Sequence, residues 1–354
     1  MAVRRVSQKN IAEAAGVHVT TVSLALRNSK SLLPETREKI QRIARELGYQ
    51  PDPMLSALTV YRKKVQMPYF QGTIAWLDNL KKSGAKPSSK VFPEYWAGAR
   101  ERCEELGYHI EEFSSSDMSL TRISNILKAR GISCILLPPQ PRQVAHMRMD
   151  WENYCALSFG FSLTHPRLHL VTNAQYRAAR LAVRTVRRYG YRRIGLVTLD
   201  EIEVRTDHNF SSGYLAEHRL GDRKPLPIFE YSYGKAASRR SYAKEFAKWF
   251  RNNQPDAIIY LDNDVPNALR ALGVGPDMCG HASLAAPAEG GELAGVHQNG
   301  KLVGRTAVDY LVDMYNRNER GVPQTPFRLL VEGYWVDGES LPRRVVPSRT
   351  APAD

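Results

Sequence analysis

From residue 71 onwards, sequence patterns typical of strands alternate with patterns typical of helices. This alternation limits the possible folds more than any other feature of the chain. Apolar runs such as 72–77 and 133–137 are typical of buried strands, and the amphipathic segment 94–106 is typical of a helix that covers a sheet. The order βαβαβ implies a parallel sheet with right-handed crossovers. A second series of the same kind, in residues 174–272, predicts a second lobe.

The alternation therefore predicts an α/β body of two doubly wound lobes. We expect strands at residues 72–77, 109–113, 133–137, 193–199, 228–232, 257–261 and 327–332. We expect helices at residues 94–106, 120–129, 174–189, 211–219, 238–252, 265–272 and 301–315.

A different pattern, with two short helices joined at Gly16, occupies residues 7–26. Ser7 is a candidate N-cap, and Gly16 can adopt the positive φ that a tight turn between helices requires. In each helix the apolar residues share one face: Ile11, Ala12 and Ala15 in the first, and Val19, Val22 and Ala25 or Leu26 in the second. This pattern predicts a helix-turn-helix, although an ordinary αα-hairpin would show the same two helices.

A third amphipathic helix and a short helical segment follow. The third helix begins at Leu33-Pro34-Glu35 and ends at Gly48, with apolar residues at i, i+3, i+4 and i+7. Within residues 51–58, Asp52 can cap and Pro53 can begin a fourth helix, which is too short to be stable alone in water. The three longer helices can share one small core, which favours a DNA-binding unit over a simple hairpin.

Residues 6–60 resemble the DNA-binding headpiece and hinge of the lactose-repressor (LacI/GalR) family. The residues that carry the resemblance are 11–17, 21–23, 36–40 and 47–51. The resemblance implies that the helix beginning near Val19 lies in the major groove and that Leu58 enters the minor groove at the centre of an operator. An apolar wedge of this kind unstacks a base step and bends the duplex. The expected DNA-binding residues are Ser7, His18, Val19, Thr20, Thr21, Ser23, Leu24, Arg27, Asn28, Leu55 and Leu58.

Two of these positions depart from the family pattern. His18 stands where the family usually has a serine, and Leu24 stands where it often has an arginine. Val19 can contact a thymine methyl group and Thr20 can bond to a base edge, but neither offers the bidentate geometry of an arginine on guanine. The base preference is therefore expected to be particular to this chain.

The two-lobed body resembles the periplasmic-binding-protein-like effector region of the same family. The matching segments are 189–197, 255–259, 263–264, 296–299 and 304–307. The expected organisation is an all-α headpiece, a hinge with a basic linker, an effector and dimerisation region, and a polar tail. Their boundaries are 1–50, 51–64, 65–340 and 341–354.

Ligands of open α/β lobes bind beyond the carboxyl ends of the strands, which gives a set of candidate effector-binding residues. These are Trp76, Asp78, Phe159, Phe210, Asn263, Asp264, His281 and Gln298. Aromatic and amide groups suit a sugar, but core packing or a dimer surface explains the aromatic residues equally well, and Asp264 could be an N-cap. Phe210 replaces an arginine that many sugar-responsive members have, and the usual aspartate near 280–282 is missing. A standard set of monosaccharide contacts is not expected.

Charge and composition favour a nucleic-acid partner for the N-terminal segment. Residues 1–64 contain 12 Lys or Arg and 5 Asp or Glu, and so carry half of the net charge of +14. Basic residues that neutralise phosphates release counterions and bind DNA of any sequence, although a basic run is also typical of a solvated surface. The 4 cysteines are scattered, without zinc or redox spacing. No signal peptide or membrane-spanning run is recognisable, so a cytoplasmic protein is expected.

The sequence thus predicts a DNA-binding transcriptional regulator, a repressor, that binds a near-palindromic operator as a homodimer and responds to a small effector. A carbohydrate is one candidate effector, and no metal or other cofactor is expected. The alternative is a cytoplasmic small-molecule-binding protein or an enzyme with the same body. His165 and His169 have helical spacing, but Pro166 argues against a helix, and no nucleophile or phosphate-loop motif is present.

Overall fold

The computed structural model describes residues 6–26, 28–29, 32–49, 70–79, 92–140, 144–221, 224–233 and 239–344. The N-terminal part is all-helical, with α1 (Gln8–Ala15), α2 (Val19–Leu26) and α3 (Pro34–Glu46). The residues that form its core are Ile11, Ala12, Ala15, Val22, Ala25, Ile40 and Ala44. All three helices contribute to this core, which confirms the helix-turn-helix and the third helix.

The ends of these helices follow the local sequence. Ser7 occupies the N-cap of α1, where its backbone N–H donates to Asn10 Oδ1 at 2.9 Å. Gly16 ends α1 in the left-handed conformation with φ of 69°. This value is strained for residues with a Cβ, so Gly16 permits the turn between α1 and α2.

The first lobe contains a sheet of six parallel strands in the order β13-β7-β5-β3-β1-β2, in which β13 is the late strand Arg328–Val331. Its elements are β1 (Gly72–Asp78), α4 (Pro93–Leu106), β2 (Tyr108–Ser114), α5 (Leu120–Ala129), β3 (Cys134–Leu137), β4 (Ala145–His146), β5 (Cys155–Phe159), β6 (Leu163–His165) and β7 (His169–Asn173). The short strands β4 and β6 pair with each other outside this sheet. Cys103, Cys134 and Cys155 are buried free thiols in the first lobe.

The second lobe contains six strands in the order β14-β12-β11-β10-β8-β9, of which β14 is antiparallel to β12. Its elements are α6 (Gln175–Arg188), β8 (Ile194–Leu199), α7 (Asp200–Arg205), α8 (Asn209–Leu220), β9 (Phe229–Tyr231), α9 (Arg239–Asn253), β10 (Ala257–Tyr260), α10 (Val265–Ala271), β11 (Gly280–Ser283), β12 (Ala294–His297) and β14 (Tyr334–Val336). Leu341 is buried against this lobe, so the first residues of the expected polar tail pack on it.

The chain passes between the lobes three times, which the linear pattern did not indicate. It leaves the first lobe after β7, returns after β12 with α11 (Gly300–Asn316) and β13 (Arg328–Val331), and leaves again for β14. Close backbone contact holds α11 against α4. A Cβ at Gly304 would lie 2.1 Å from the carbonyl oxygen of Tyr95, so only glycine fits there.

Each strand and helix predicted in the body is present, with ends shifted by no more than two residues. The pattern did not predict the strands β4–β7, β11, β12 and β14 or the helix α7. The expected hinge at 51–64 lies outside the described residues. Within the part of the chain that the structure describes, no helix is long and apolar enough to cross a membrane.

Candidate functional site

The helix α2 presents an exposed polar face at the surface of the three-helix unit. Val22 and Ala25 point into the core, whereas His18 and Thr20 are exposed and Val19 is 37% exposed. The expectation that Val19 shares the core face of α2 is therefore wrong. Its position leaves its methyl groups accessible to a groove. Three further predicted DNA contacts on α2, namely Thr21, Ser23 and Leu24, are partly exposed, and Ser7 is exposed at the start of α1.

His18 caps the N-terminus of α2 with its ring. The backbone N–H of Thr20 donates to His18 Nδ1 at 3.3 Å, and the Thr20 hydroxyl lies 2.8 Å from the same nitrogen. The imidazole thereby supplies the acceptor that a serine supplies at an ordinary N-cap. The departure from the family pattern at this position therefore keeps the helix start intact while placing a larger ring at the exposed surface.

Asn28 follows α2 in the left-handed conformation, with φ of 56°. Gln41 Nε2, on α3, donates to Asn28 Oδ1 at 2.6 Å and to the carbonyl oxygen of Ala25 at 2.9 Å. These bonds fix the end of α2 to α3. The other three predicted DNA contacts, Arg27, Leu55 and Leu58, lie outside the described residues.

A cavity of about 330 Å³ lies between the two lobes. One wall comes from α4 and from the ends of the first-lobe strands, and the other comes from α7, the start of α8 and the ends of second-lobe strands. Its lining residues are Phe92, Tyr95, Pro139, Gly160, Phe161, Ser162, Thr172, Asn173, Gln175, Glu201, Ile202, Arg205, Thr206, Phe210, Leu261 and Gln298. The cavity thus lies at the carboxyl ends of parallel strands, where open α/β folds bind ligands.

Polar side chains at the first crossover form a connected network in the cavity wall. Gln175 Nε2 donates to Thr172 Oγ1 at 3.1 Å and to Asn173 Oδ1 at 3.0 Å. The Thr172 hydroxyl also donates to Asn173 Oδ1, at 3.2 Å. Burial raises the pKa of the Tyr95 hydroxyl, beside this network, to about 12, so Tyr95 stays neutral at physiological pH.

The opposite wall contains Arg205, the last residue of α7. Burial lowers the pKa of its guanidinium, because desolvation penalises the charged form. The helix that carries Arg205 is held by a buried carboxylate. The Ser211 hydroxyl donates to Glu203 Oε2 at 2.7 Å, and the Thr198 hydroxyl donates to Glu203 Oε1 at 3.1 Å.

Comparison with known proteins identifies a family for the N-terminal helices. The family model described as "Bacterial regulatory proteins, lacI family" matches residues 8–52, which include α1, α2 and α3. The three-helix unit is thus similar to the DNA-binding part of that family. The chain is 26% identical over 129 residues to the HTH-type transcriptional regulator DegA of Bacillus subtilis, a match that covers 36% of this chain and only 34% of that relative.

Solved structures share the fold of most of the chain. A transcriptional regulator CelR–cellobiose complex is 19% identical with a TM-score of 0.55, and covers 95% of this chain and 100% of its own. The lac repressor dimer bound to operator and the anti-inducer ONPF is 16% identical with a TM-score of 0.52. That match covers 94% of this chain and 98% of the repressor chain. These similarities show the fold alone, which is a body of two periplasmic-binding-protein-like lobes.

Of the predicted effector-binding residues, the structure brings Phe210 and Gln298 to the cavity. Trp76 and Phe159 are fully buried in the first-lobe core and are not among the lining residues. Asp78 is also buried, and it accepts a hydrogen bond from the Ser114 hydroxyl at 2.6 Å. Trp76 and Phe159 are therefore core residues, which was the alternative interpretation of these two aromatic side chains.

The remaining predicted residues lie in the second lobe away from the cavity lining. Asn263 is exposed, and Asp264, at the N-cap of α10, accepts a hydrogen bond from the Tyr233 hydroxyl at 2.8 Å. His281 lies in β11 and is 9% exposed. Burial lowers its pKa to about 4. A role for these residues in effector binding stays a prediction.

Sequence reasoning missed the residues that dominate the polar walls: Asn173, Gln175 and Arg205. The strand β7, which ends at Asn173, was not recognised, so the residues after it were not counted as strand-end residues. Arg205 lies on a helix of six residues that was not recognised either. The sequence signal that could have found the crossover is the polar pair at 172–173 directly after an apolar run.

Proposed function

We propose that this chain is a LacI-family, sequence-specific transcriptional regulator that binds a near-palindromic operator as a homodimer and represses transcription. The exposed face of α2 carries the proposal, because small and hydroxylated side chains surround its accessible Val19 and allow close approach to base edges. The basic headpiece sequence supplies the attraction to phosphates. The relative bound to operator is a dimer, which supports the same state for this chain.

We further propose that a small effector binds in the interlobe cavity and changes DNA affinity by linkage. A ligand that contacts both walls favours one arrangement of the lobes, and the crossovers carry this preference to the headpiece. The relative complexed with cellobiose supports a small-molecule effector. Within this proposal the protein acts in the cytoplasm, at the nucleoid, and has no catalytic activity.

Selection of bound duplexes from a random pool with the full-length chain tests the DNA-binding proposal. We expect enrichment of one two-fold symmetric sequence, and gel shifts that persist at salt concentrations abolishing the binding of unselected DNA. Equal loss of selected and unselected DNA as salt rises would contradict sequence-specific binding. Sedimentation on the selected duplex tests the dimer, because one chain per site would rule it out.

A further inference from the structure

The interlobe cavity contains a cation, Arg205, that forms no ion pair with any of the described residues. Arg205 is partly buried in the wall formed by α7, and its guanidinium lies 6.0 Å from the centroid of the Phe92 ring. Within the described residues, neither a carboxylate nor a hydrogen-bond acceptor is paired with this guanidinium. The five N–H donors of an arginine are therefore available to a molecule in the cavity.

Asn173 adds a second unsatisfied donor from the opposite wall. The residue is only 4% exposed, and its Nδ2 has no hydrogen-bond partner among the described residues. The amide orientation is set by its neighbours, because Thr172 and Gln175 both donate to Asn173 Oδ1. The Nδ2 group is thus a buried donor, and leaving such a group unpaired is costly.

The rest of the cavity is mainly apolar and aromatic. The residues that give it this character are Phe92, Tyr95, Phe161, Ile202, Phe210 and Leu261. Phe92 and Tyr95 stack with ring centroids 5.9 Å apart. A volume of about 330 Å³ is at the lower end of small-molecule sites. The cavity therefore suits a compact ligand with one ring better than an oligosaccharide.

We infer that the effector is a small organic acid with an aromatic or apolar body, whose carboxylate or phosphate oxygens accept hydrogen bonds from Arg205 and Asn173. This inference rests on the proposed function and names the ligand class of the same cavity. Because the two donors lie in different lobes, an anionic group between them stabilises the lobe arrangement seen here. A neutral sugar would leave the guanidinium without a counter-charge, and charge-assisted hydrogen bonds are about twice as strong as neutral ones.

Glu201 also lines the cavity, one helical turn before Arg205 on α7. No ion pair joins the two side chains in the described structure, so Glu201 does not neutralise the guanidinium. A cationic ligand held by Glu201 is the competing assignment. The two assignments predict opposite effects of charge removal. For an acid, Glu201→Gln leaves affinity unchanged or raises it, and Arg205→Gln lowers it.

Calorimetric titration of the full-length protein tests the inference with four probes. Phenylacetate and phenyl phosphate carry the two acidic groups, phenylacetamide is the neutral isostere of the first, and glucose is a neutral sugar. We expect at least one acid to bind at least about tenfold more tightly than phenylacetamide, which corresponds to about 1.4 kcal/mol. Whichever acid binds more tightly identifies the head group.

Variants test whether the cavity is responsible for the preference for acids over phenylacetamide. Arg205→Gln should abolish it, Arg205→Lys should keep part of it, and the matched control Arg219→Gln, an exposed arginine on α8, should keep it entirely. The inference is overturned if phenylacetamide or glucose binds as tightly as the acids, if Arg205→Gln retains the preference, or if no acid binds at about 10 mM. Loss of binding in Glu201→Gln would favour the cationic ligand and overturn it too.

The DNA-binding proposal is tested separately on the same proteins. Without ligand, Arg205→Gln should bind the selected duplex as the unmodified chain does, which also shows that the variant is folded. If the unmodified chain selects no DNA sequence, the proposed function fails, whereas the titrations still decide the ligand class. If DNA binding is normal and the acids fail, only the inference about the ligand fails.

Discussion

At the scale of single residues, His18 combines a structural role with a position on the exposed surface that we propose binds DNA. Its Nδ1 accepts the N–H of Thr20 and lies within hydrogen-bonding distance of the Thr20 hydroxyl. The capping His18 ring therefore contacts Thr20, a side chain that is predicted to contact bases. In the proposed complex, base readout by Thr20 would depend on how this pair rearranges in the groove, which gives a physical reason for expecting a sequence preference particular to this chain.

Replacing the cap tests this role. His18→Ala should weaken α2 by about 1 kcal/mol, the usual cost of removing an N-cap acceptor. That loss raises the hydrogen-exchange rate of the α2 amides about fivefold, because local opening becomes easier. His18→Asn supplies another acceptor and should keep the exchange slow. Mass-spectrometric exchange on residues 16–26 of the full chain measures the difference, and equal exchange in both variants would contradict the capping role.

His281 is a second residue whose environment has a measurable consequence. It is buried in β11, its ring nitrogen Nδ1 has no hydrogen-bond partner among the described residues, and burial lowers its pKa from 6.5 to about 4. The unfolded chain therefore takes up a proton at this residue at a higher pH than the folded chain does. The contribution of His281 to stability is present above pH 6.5 and is lost as the pH falls towards 4.

His281→Phe should remove this pH dependence. Phenylalanine has a ring of similar size and no nitrogen to protonate, so we expect the variant to lose less stability than the unmodified chain between pH 6.5 and 4. Urea unfolding followed by tryptophan fluorescence at a series of pH values gives both profiles. Parallel profiles would show that another group controls the acid response of the second lobe.

At the scale of elements, α4 and α11 define the first lobe by packing backbone against backbone. The two glycines at this contact are Gly98 and Gly304, and a Cβ at either would lie about 2 Å from a carbonyl oxygen of the other helix. Such distances are well inside van der Waals contact, so a side chain there must push the helices apart. The pairing explains how a helix late in the chain belongs to the lobe formed by the first strands.

Gly304→Ala should therefore destabilise the first lobe, although alanine is the better helix former. Overpacking of a tight contact typically costs about 1–3 kcal/mol. Gly275→Ala is the matched control, because a Cβ at Gly275 meets no atom within 4 Å. Thermal unfolding of both variants provides the comparison, and an unchanged midpoint for Gly304→Ala would show that the helices adjust freely.

The elements also show what the sequence could predict. The helix at 120–129 was predicted with both ends correct, because its apolar period is clear and its N-cap Ser119 accepts the N–H of Arg122. The strands β5–β7 were missed, because they are short and separated by only a few residues. Much of the cavity wall comes from these strands and from α7. The interlobe cavity was therefore predictable in position, at the strand ends, but only partly in its lining residues.

At the scale of the whole molecule, an ion pair spans the two lobes beside the cavity. Arg328, at the start of β13 in the first lobe, lies 3.6 Å from Asp207, which follows α7 in the second lobe. The Arg328 guanidinium also lies 4.9 Å from the centroid of Phe161, a lining residue. The pair exists only while the lobes keep their present arrangement, so it favours that arrangement over others.

Breaking this pair should shift the distribution of lobe separations without unfolding the protein. Exposed pairs contribute up to about 1 kcal/mol, so we expect Arg328→Gln and Asp207→Asn each to increase the population of other arrangements by up to about fivefold. The double variant should do no more than either single variant, because the same interaction is lost. Distances between spin labels on the two lobes, measured by pulsed dipolar spectroscopy, report the populations.

The control for this experiment is an ion pair within one lobe. Lys301 on α11 lies 2.8 Å from Glu101 on α4, and Lys301→Gln should leave the distances between the lobes unchanged. Additive effects of the two interlobe substitutions would show that they act through separate contacts. Equal shifts in Lys301→Gln would show that loss of charge alone, and not the interlobe pair, sets the arrangement. Non-additivity confined to the interlobe pair would identify Arg328 and Asp207 as one contact that stabilises the present arrangement of the lobes.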